Sequence, residues 1–208
     1  MIEIDNVSLK IKEFNILNNI SLKIKAGEAV GLVGGNGSGK TMLMKCICGF
    51  NTSFTGKITV AGKVIGKHTS FPSNMGFLIE TPGFVSYMSG RDNLMALANI
   101  RKKIGIDKVE EYMKIVGLDP DSKKYVKNYS LGMRQRLGIA QALMENPELL
   151  ILDEPFNGLD KNMTARIRDV LIEEKQKGKT ILLVSHNEKD IEYICDRIYE
   201  IDGGEIVN

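Results

Sequence analysis

The chain has no tryptophan, only five prolines and only three cysteines among 208 residues. An odd number of cysteines cannot pair completely, and Cys46, Cys48 and Cys195 lack metal-ligand spacing. Cys46 and Cys48 lie two apart on a predicted helix, where side chains do not face each other. All three read as small apolar residues. No apolar run approaches the roughly 18–20 residues that a membrane-crossing helix needs, and the N-terminus alternates charged with apolar residues instead of carrying a signal-peptide core. A cytoplasmic protein is expected. An excess of one charge is also missing: 28 Lys and Arg face 26 Asp and Glu, a net charge of +2. Composition therefore gives no electrostatic case for a nucleic-acid partner or an anionic membrane surface. With 43% hydrophobic and 26% charged residues, disordered and fibrous classes are excluded, and the length suits one substantial core, or one core carrying a small subdomain.

What the chain does have is glycine, placed with a purpose. Gly34-Gly35-Asn36-Gly37-Ser38-Gly39-Lys40-Thr41 matches the phosphate-loop pattern at every fixed position. Glycines let successive backbone N–H groups curl into an anion-binding nest, and the helix that follows directs its positive end at phosphates. Lys40 would reach the β- and γ-phosphates and the Thr41 hydroxyl would bind Mg²⁺. The context agrees: Ala29 to Val33 reads as a buried strand and Met42 to Cys48 as a helix stopped near Gly49.

Along the chain, Ile2 to Leu9 and Ile20 to Ile24 alternate like half-exposed strands, which predicts an antiparallel edge layer. Gly56 to Lys63 reads as a strand and tight turn, and Gly76 to Ile79 as a short buried strand. From about Tyr87 to Asn146 the pattern is helical. Leu149 to Leu152 and Thr180 to Val184 are too apolar for a one-faced sheet and predict buried parallel strands, joined by a helix containing Met163, Ile167, Val170 and Leu171. Ile198 to Val207 reads as a hairpin. The fold class is α/β: a phosphate-loop core with a mainly parallel sheet, an N-terminal antiparallel layer and a helical insert. The domain reading is 1–84 with 147–208 as the nucleotide-binding core and 85–146 as the helical subdomain.

Three apolar strands run directly into polar residues: the phosphate loop after Val33, Asp153-Glu154 after Leu152, and Ser185-His186 after Val184. In a parallel sheet those ends share one edge, where open α/β folds bind ligands. Asp153 is then the residue that holds magnesium, through water, and Glu154 acts on the attacking water. His186 donates to the γ-phosphate or to the neighbourhood of Glu154. His68, among Lys67, Thr69 and Ser70, reads as a solvated loop histidine.

Together these segments resemble the ATP-binding subunit of an ABC (ATP-binding cassette) transporter, over essentially the whole chain. Asn157-Gly158-Leu159-Asp160 is similar to the family's D-loop, and Tyr129 to Arg136 resembles its signature segment, with Ser130 as N-cap of a helix running to Asn146. The resemblance implies ATP and Mg²⁺ as ligands and catalytic roles for Lys40, Glu154 and His186. It also implies that Asp160, Ser130 and Gly132 serve a nucleotide shared with a second copy of the chain. It further implies a separate transmembrane permease, with this chain peripheral on the inner face of the membrane.

Departures from the family pattern are local. Tyr129, Leu131 and Met133 replace the usual signature residues. Ile11 occupies the position where an aromatic stacks on adenine, with Phe14 a candidate substitute. Glu80 stands where the family has glutamine, and there it must coordinate metal, take a proton or point away. Ile79-Glu80 and Ser130-Leu131-Gly132-Met133 look like the bacterial subfamily that exports bacitracin-type and lantibiotic-type antimicrobial peptides; another small bacterial exporter is the alternative within the family. The alternative function is a non-transport ABC ATPase acting on ribosomes or DNA.

Overall fold

The runs 149–152 and 181–184 are apolar throughout because both faces of their sheet are covered. A computed structural model describes residues 1–207. In chain order the elements are β1 (Ile2–Ile11), β2 (Phe14–Ile24), β3 (Ala29–Val33), α1 (Lys40–Ile47), β4 (Thr55–Val60), β5 (Lys63–Val64) and β6 (Met75–Leu78). There follow α2 (Gly90–Arg101), α3 (Ile106–Ile115), a 3-10 turn (Val126–Asn128), α4 (Leu131–Leu143), β7 (Leu149–Asp153), α5 (Lys161–Gln176), β8 (Thr180–Val184), α6 (Glu188–Ile194), β9 (Arg197–Asp202) and β10 (Glu205–Ile206).

The main sheet has the order β10-β9-β3-β8-β7-β6, parallel except for the β9–β10 hairpin. Side chains along its central strands alternate between two cores. Leu32, Leu149, Ile151, Leu182 and Val184 pack with α1 and the antiparallel sheet. Leu150, Leu152, Ile181 and Leu183 pack with α2 to α6. This two-sided burial is the reason for continuous apolar runs. The thiols behave as apolar filling: all three are free, Cys46 and Cys48 are buried, and burial pushes Cys46 and Cys195 up to about 12.

The antiparallel sheet, β2-β1-β4-β5, carries a feature that simple alternation does not describe. Buried residues in β1 are Ile2 and Ile4, then Val7 and Leu9, so the phase flips between them. Asn6 (φ 50°) and Asn19 (φ 51°) take left-handed backbone at the flip, and the strand register shifts there. Each is secured by a serine on the opposite strand: the Asn6 N–H donates to Ser21 Oγ at 2.9 Å and the Asn19 N–H to Ser8 Oγ at 2.8 Å. These bulges twist the ribbon while keeping Ile and Leu inward on both sides.

Two expected boundaries shift. α4 ends at Leu143, three residues before Asn146, because Asn146 turns left-handed (φ 54°) ahead of Pro147. β9 is more than a hairpin arm: it joins the parallel sheet beside β3, and its alternating burial had hidden that neighbour.

α4 reaches the sheet over Gly76. A Cβ there would stand 1.8 Å from the Ala142 carbonyl oxygen and 2.9 Å from Pro147 Cγ. Gly76→Ala is therefore expected to destabilise the fold by about 1–3 kcal/mol. Gly83→Ala, in a loop where nothing lies within 4 Å of the new carbon, is expected to change stability by less than about 0.5 kcal/mol. Urea unfolding of the two variants beside the unmodified chain measures the contrast.

Candidate active site

The phosphate loop joins β3 to α1 and is wedged between two other segments. Gly34 (φ 142°) has no room for a side chain, since a Cβ would stand 2.0 Å from the Ile201 carbonyl oxygen of β9. Gly39 (φ 108°) meets the Ile16 carbonyl at 2.8 Å in the same test. The loop's shape is thus set by β2 and β9 as well as by its own sequence. Lys40 at the start of α1 donates from Nζ to the carbonyls of Gly34 (2.9 Å) and Gly35 (2.8 Å) and to Ser38 Oγ (3.3 Å).

Because β3, β7 and β8 are adjacent and parallel, their carboxyl ends bring the other predicted residues to this loop. Thr41 Oγ1 donates to Asp153 Oδ2 at 2.7 Å. Asp153 is 8% exposed; burial raises its carboxyl pKa, opposed by the Thr41 hydrogen bond and the nearby Lys40 and Lys45, with Glu80 adding to the rise. Among the described residues, no three His, Cys, Asp or Glu side chains gather as a metal cage. Thr41 and Asp153 instead present two hard oxygens side by side, the sparse protein donor set that suits Mg²⁺, which fills its remaining positions with water and phosphate.

Glu154 follows in left-handed backbone (φ 50°), a costly conformation for a glutamate. Three hydrogen bonds hold it there: its N–H donates to Val184 O (2.9 Å), and its carbonyl accepts from Gln135 Nε2 (2.8 Å) and the Asn157 N–H (3.2 Å). The turn aims its carboxylate at His186, whose Nδ1 lies 2.7 Å from Glu154 Oε2.

Two cavities flank Asp153 and Glu154. One, of about 350 Å³, is bounded by Ile16, Asn36, Gly37, Lys40 and Thr41. The other, of about 400 Å³, is bounded by Glu80, Thr81, Leu131, Gln135, Asn157 and Gly158. Ile11 lies outside the first: it is at the far end of the β1–β2 hairpin opposite Phe14, which is 73% exposed. Ile16 lines the first cavity. Its trace in the sequence is the doublet Ile16-Leu17, which interrupts polar alternation and puts an apolar side chain on each face. Gln135 also escapes sequence reading; its signal would have been a polar residue on the buried face of α4.

Glu80 forms an ion pair with Lys45 of α1, Nζ to Oε1 2.6 Å, with left-handed backbone (φ 57°). Ser130 caps α4, accepting the Met133 N–H at 3.2 Å. Gly132 packs on the Gly158 carbonyl, 2.5 Å from where a Cβ would sit. Neither Ser130 nor Gly132 bounds the phosphate-loop cavity of its own chain. Asp160 caps α5, accepting the Met163 N–H at 2.9 Å.

The sequence profile described as ABC transporter matches residues 17–157. The chain is 39% identical to YybJ of Bacillus subtilis, an uncharacterized ABC transporter ATP-binding protein, over 99% of this chain and 94% of that one. It is 40% identical to BcrA of Enterococcus faecalis, a bacitracin transport ATP-binding protein, over 100% of this chain and 68% of that one. It is 34% identical to SrtF of Streptococcus pyogenes, a lantibiotic transport ATP-binding protein, over 100% and 89%. These relatives favour transport over a ribosome- or DNA-directed role. Among solved structures, a dimeric ATP-binding cassette in a post-hydrolysis state bound to ADP and Pi shares 23% identity and superposes with a TM-score of 0.89, covering 100% of this chain and 97% of that one. That likeness bears on the fold. With the family profile matched across 141 of the 208 residues and relatives near 40% identity along its length, the chain belongs to the ABC transporter family as one of its ATP-binding proteins.

Proposed function

We propose that the chain hydrolyses ATP to power export of antimicrobial peptides of the bacitracin or lantibiotic kind, working as a dimer against a separate membrane permease. The observation that carries the catalytic part is the convergence of Lys40, the Thr41–Asp153 pair and the Glu154–His186 pair on one sheet edge. Lys40 would exchange its loop carbonyls for β- and γ-phosphate oxygens, and the loop N–H groups would bind the same phosphates. Bound Mg²⁺ would neutralise charge developing between the β- and γ-phosphates, with Thr41 and Asp153 as its protein oxygens. Glu154 would take a proton from the attacking water, and His186, hydrogen-bonded to it, would orient that carboxylate and face the γ-phosphate. Most of the acceleration in such chemistry comes from positioning and electrostatics.

The nucleotide would lie between two copies, with Ser130, Gly132 and Asp160 of the second copy completing the site. The residues fall into a nucleotide-binding core, 1–84 and 147–208, of which residue 208 lies outside the described chain, and a helical subdomain, 85–146. Because no helix among the described residues is long and apolar enough to cross a membrane, transport requires the permease, with this chain docked on its inner face. The relatives' names support the peptide substrate class, as does the Glu80 variant of the loop after β6.

Glu154→Gln is expected to lower steady-state phosphate release by at least about 100-fold and to accumulate an ATP-bound dimer in size-exclusion chromatography; unchanged hydrolysis would remove Glu154 from the mechanism.

Asp153→Asn is expected to abolish Mg²⁺-dependent hydrolysis and yet to stabilise the nucleotide-free protein at neutral pH. A carboxyl whose pKa is raised by folding contributes stability only below its unfolded pKa, and loses it as pH rises through the folded value. The amide should therefore raise Tm at pH 7, where about 1 kcal/mol corresponds to roughly 2–4 °C, and the gain should shrink toward zero as pH falls below about 4. Thermal unfolding across pH checks the sign.

A further inference from the structure

Among the charged side chains sealed in the interior, Asp190, 1% exposed in the first turn of α6, lies close behind the Glu154–His186 pair and has no part in the chemistry described so far. Its Oδ1 accepts from both Nε (2.6 Å) and Nη2 of Arg168 on α5. Its Oδ2 accepts the Ser185 hydroxyl at 3.0 Å, and Ser185 Oγ accepts the Asn187 N–H at 3.2 Å. An ionised carboxylate has no proton to give, so the directions are fixed: Ser185 donates to Asp190 and turns a lone pair to Asn187. Asn187 also caps α6, its side chain accepting the Lys189 N–H at 3.1 Å.

The residue between Ser185 and Asn187 is His186. Its side chain is 74% exposed, so packing does not hold the ring. Its direction toward Glu154 comes from the backbone on either side, and both flanking residues are tied to the same buried carboxylate. A buried ion pair adds little to stability compared with a well-packed apolar replacement, which leaves orientation as the role this one serves.

We propose that Asp190, Arg168 and Ser185 are positioning residues that set the His186 ring against Glu154. The proposal rests on the reading of Glu154 and His186 as the catalytic pair. Arg168 sits about two turns after Asp160, the N-cap of α5, so the helix that begins at the Asn157–Asp160 turn also carries the mount of the histidine. A displacement of that turn would be felt at His186 through one rigid helix and one ion pair, without passing through the nucleotide.

The chain contains only two histidines, so the ring resonances of His186 can be followed by NMR with His68 as an internal reference. Ser185→Ala leaves the Arg168–Asp190 pair in place and removes its hold on the loop. It is expected to shift and broaden the His186 ring resonances, leave those of His68 unchanged, and lower kcat for ATP about tenfold with KM within about twofold, since small misplacements of a reacting group carry penalties up to about 100-fold. Ser185→Thr, which keeps the hydroxyl, should restore both readouts, and Asp190→Asn should reproduce the loss. Unmoved His186 resonances in Ser185→Ala and Asp190→Asn, or an unchanged kcat in folded protein verified by circular dichroism, would overturn the proposal. A wild-type chain that fails to hydrolyse ATP would instead remove the catalytic reading, while the resonance comparison still decides the positioning.

Discussion

A parallel sheet covered on both faces pushes polar side chains to the edges where its strands begin and end, and here the site residues collect at the carboxyl-end edge. Here the central strands β3, β8 and β7 alternate their side chains between two apolar cores. Asp153 closes β7 and Ser185 follows β8 at once, while the phosphate loop leaves β3. Parallel register then fixes which of these meet: Asp153 is level with Val184, so Glu154 leaves its strand one residue past that level and His186 leaves the adjacent strand two residues past it. The active-site geometry is in this sense a consequence of burial. Side chains that could not be accommodated inside either core are delivered together to the boundary at the strands' carboxyl ends.

That delivery is not free of strain. Glu154 and Glu80 are both non-glycine residues in left-handed backbone, conformations that cost of order 1–3 kcal/mol each, and Asp153 is held where burial disfavours its charge. Each is restrained by groups from other elements: Glu154 by Val184 and Gln135, Asp153 by Thr41, Glu80 by Lys45. The Lys45–Glu80 pair is partly solvent-exposed, so its own contribution to stability is small. Its relevance is to charge balance: without Lys45, Glu80 would add a second uncompensated carboxylate beside Asp153.

Much of this was readable from the residues, and for a physical reason. The apolar runs ending in Asp153-Glu154 and Ser185-His186 announce buried strands with polar exits, and the glycine spacing of the phosphate loop has few other uses. Those signals are local. What could not be read is relational: the paired bulges at Asn6 and Asn19 need Ser21 and Ser8 from the facing strand, and Gln135 reaches the Glu154 carbonyl across 19 positions. Lys45 and Glu80 lie 35 apart, and Arg168 and Asp190 22 apart on different helices. Ile16, which no motif marks, lines the phosphate-loop cavity, while Ile11 pairs with Phe14 at the end of the β1–β2 hairpin. A sequence records which groups are available; which of them touch depends on how β1 and β2 twist and on where the helices cross.

The start of α4 illustrates how one residue can serve its own chain and still be free for another. Ser130 Oγ accepts the Met133 N–H, which uses a lone pair and leaves the hydroxyl proton undirected. Capping therefore does not compete with donation to a phosphate; it fixes the oxygen and leaves the donor turned by the ligand. The helix end offers its unpaired N–H groups to the same anion. Beside it Leu131, large and apolar, is 53% exposed. Gly132 is pressed against the Gly158 carbonyl, so this surface is stiffened by the turn that leads to Asp160. The start of α4 thus combines a fixed oxygen, an undirected hydroxyl proton and a backbone stiffened by the turn that leads to Asp160.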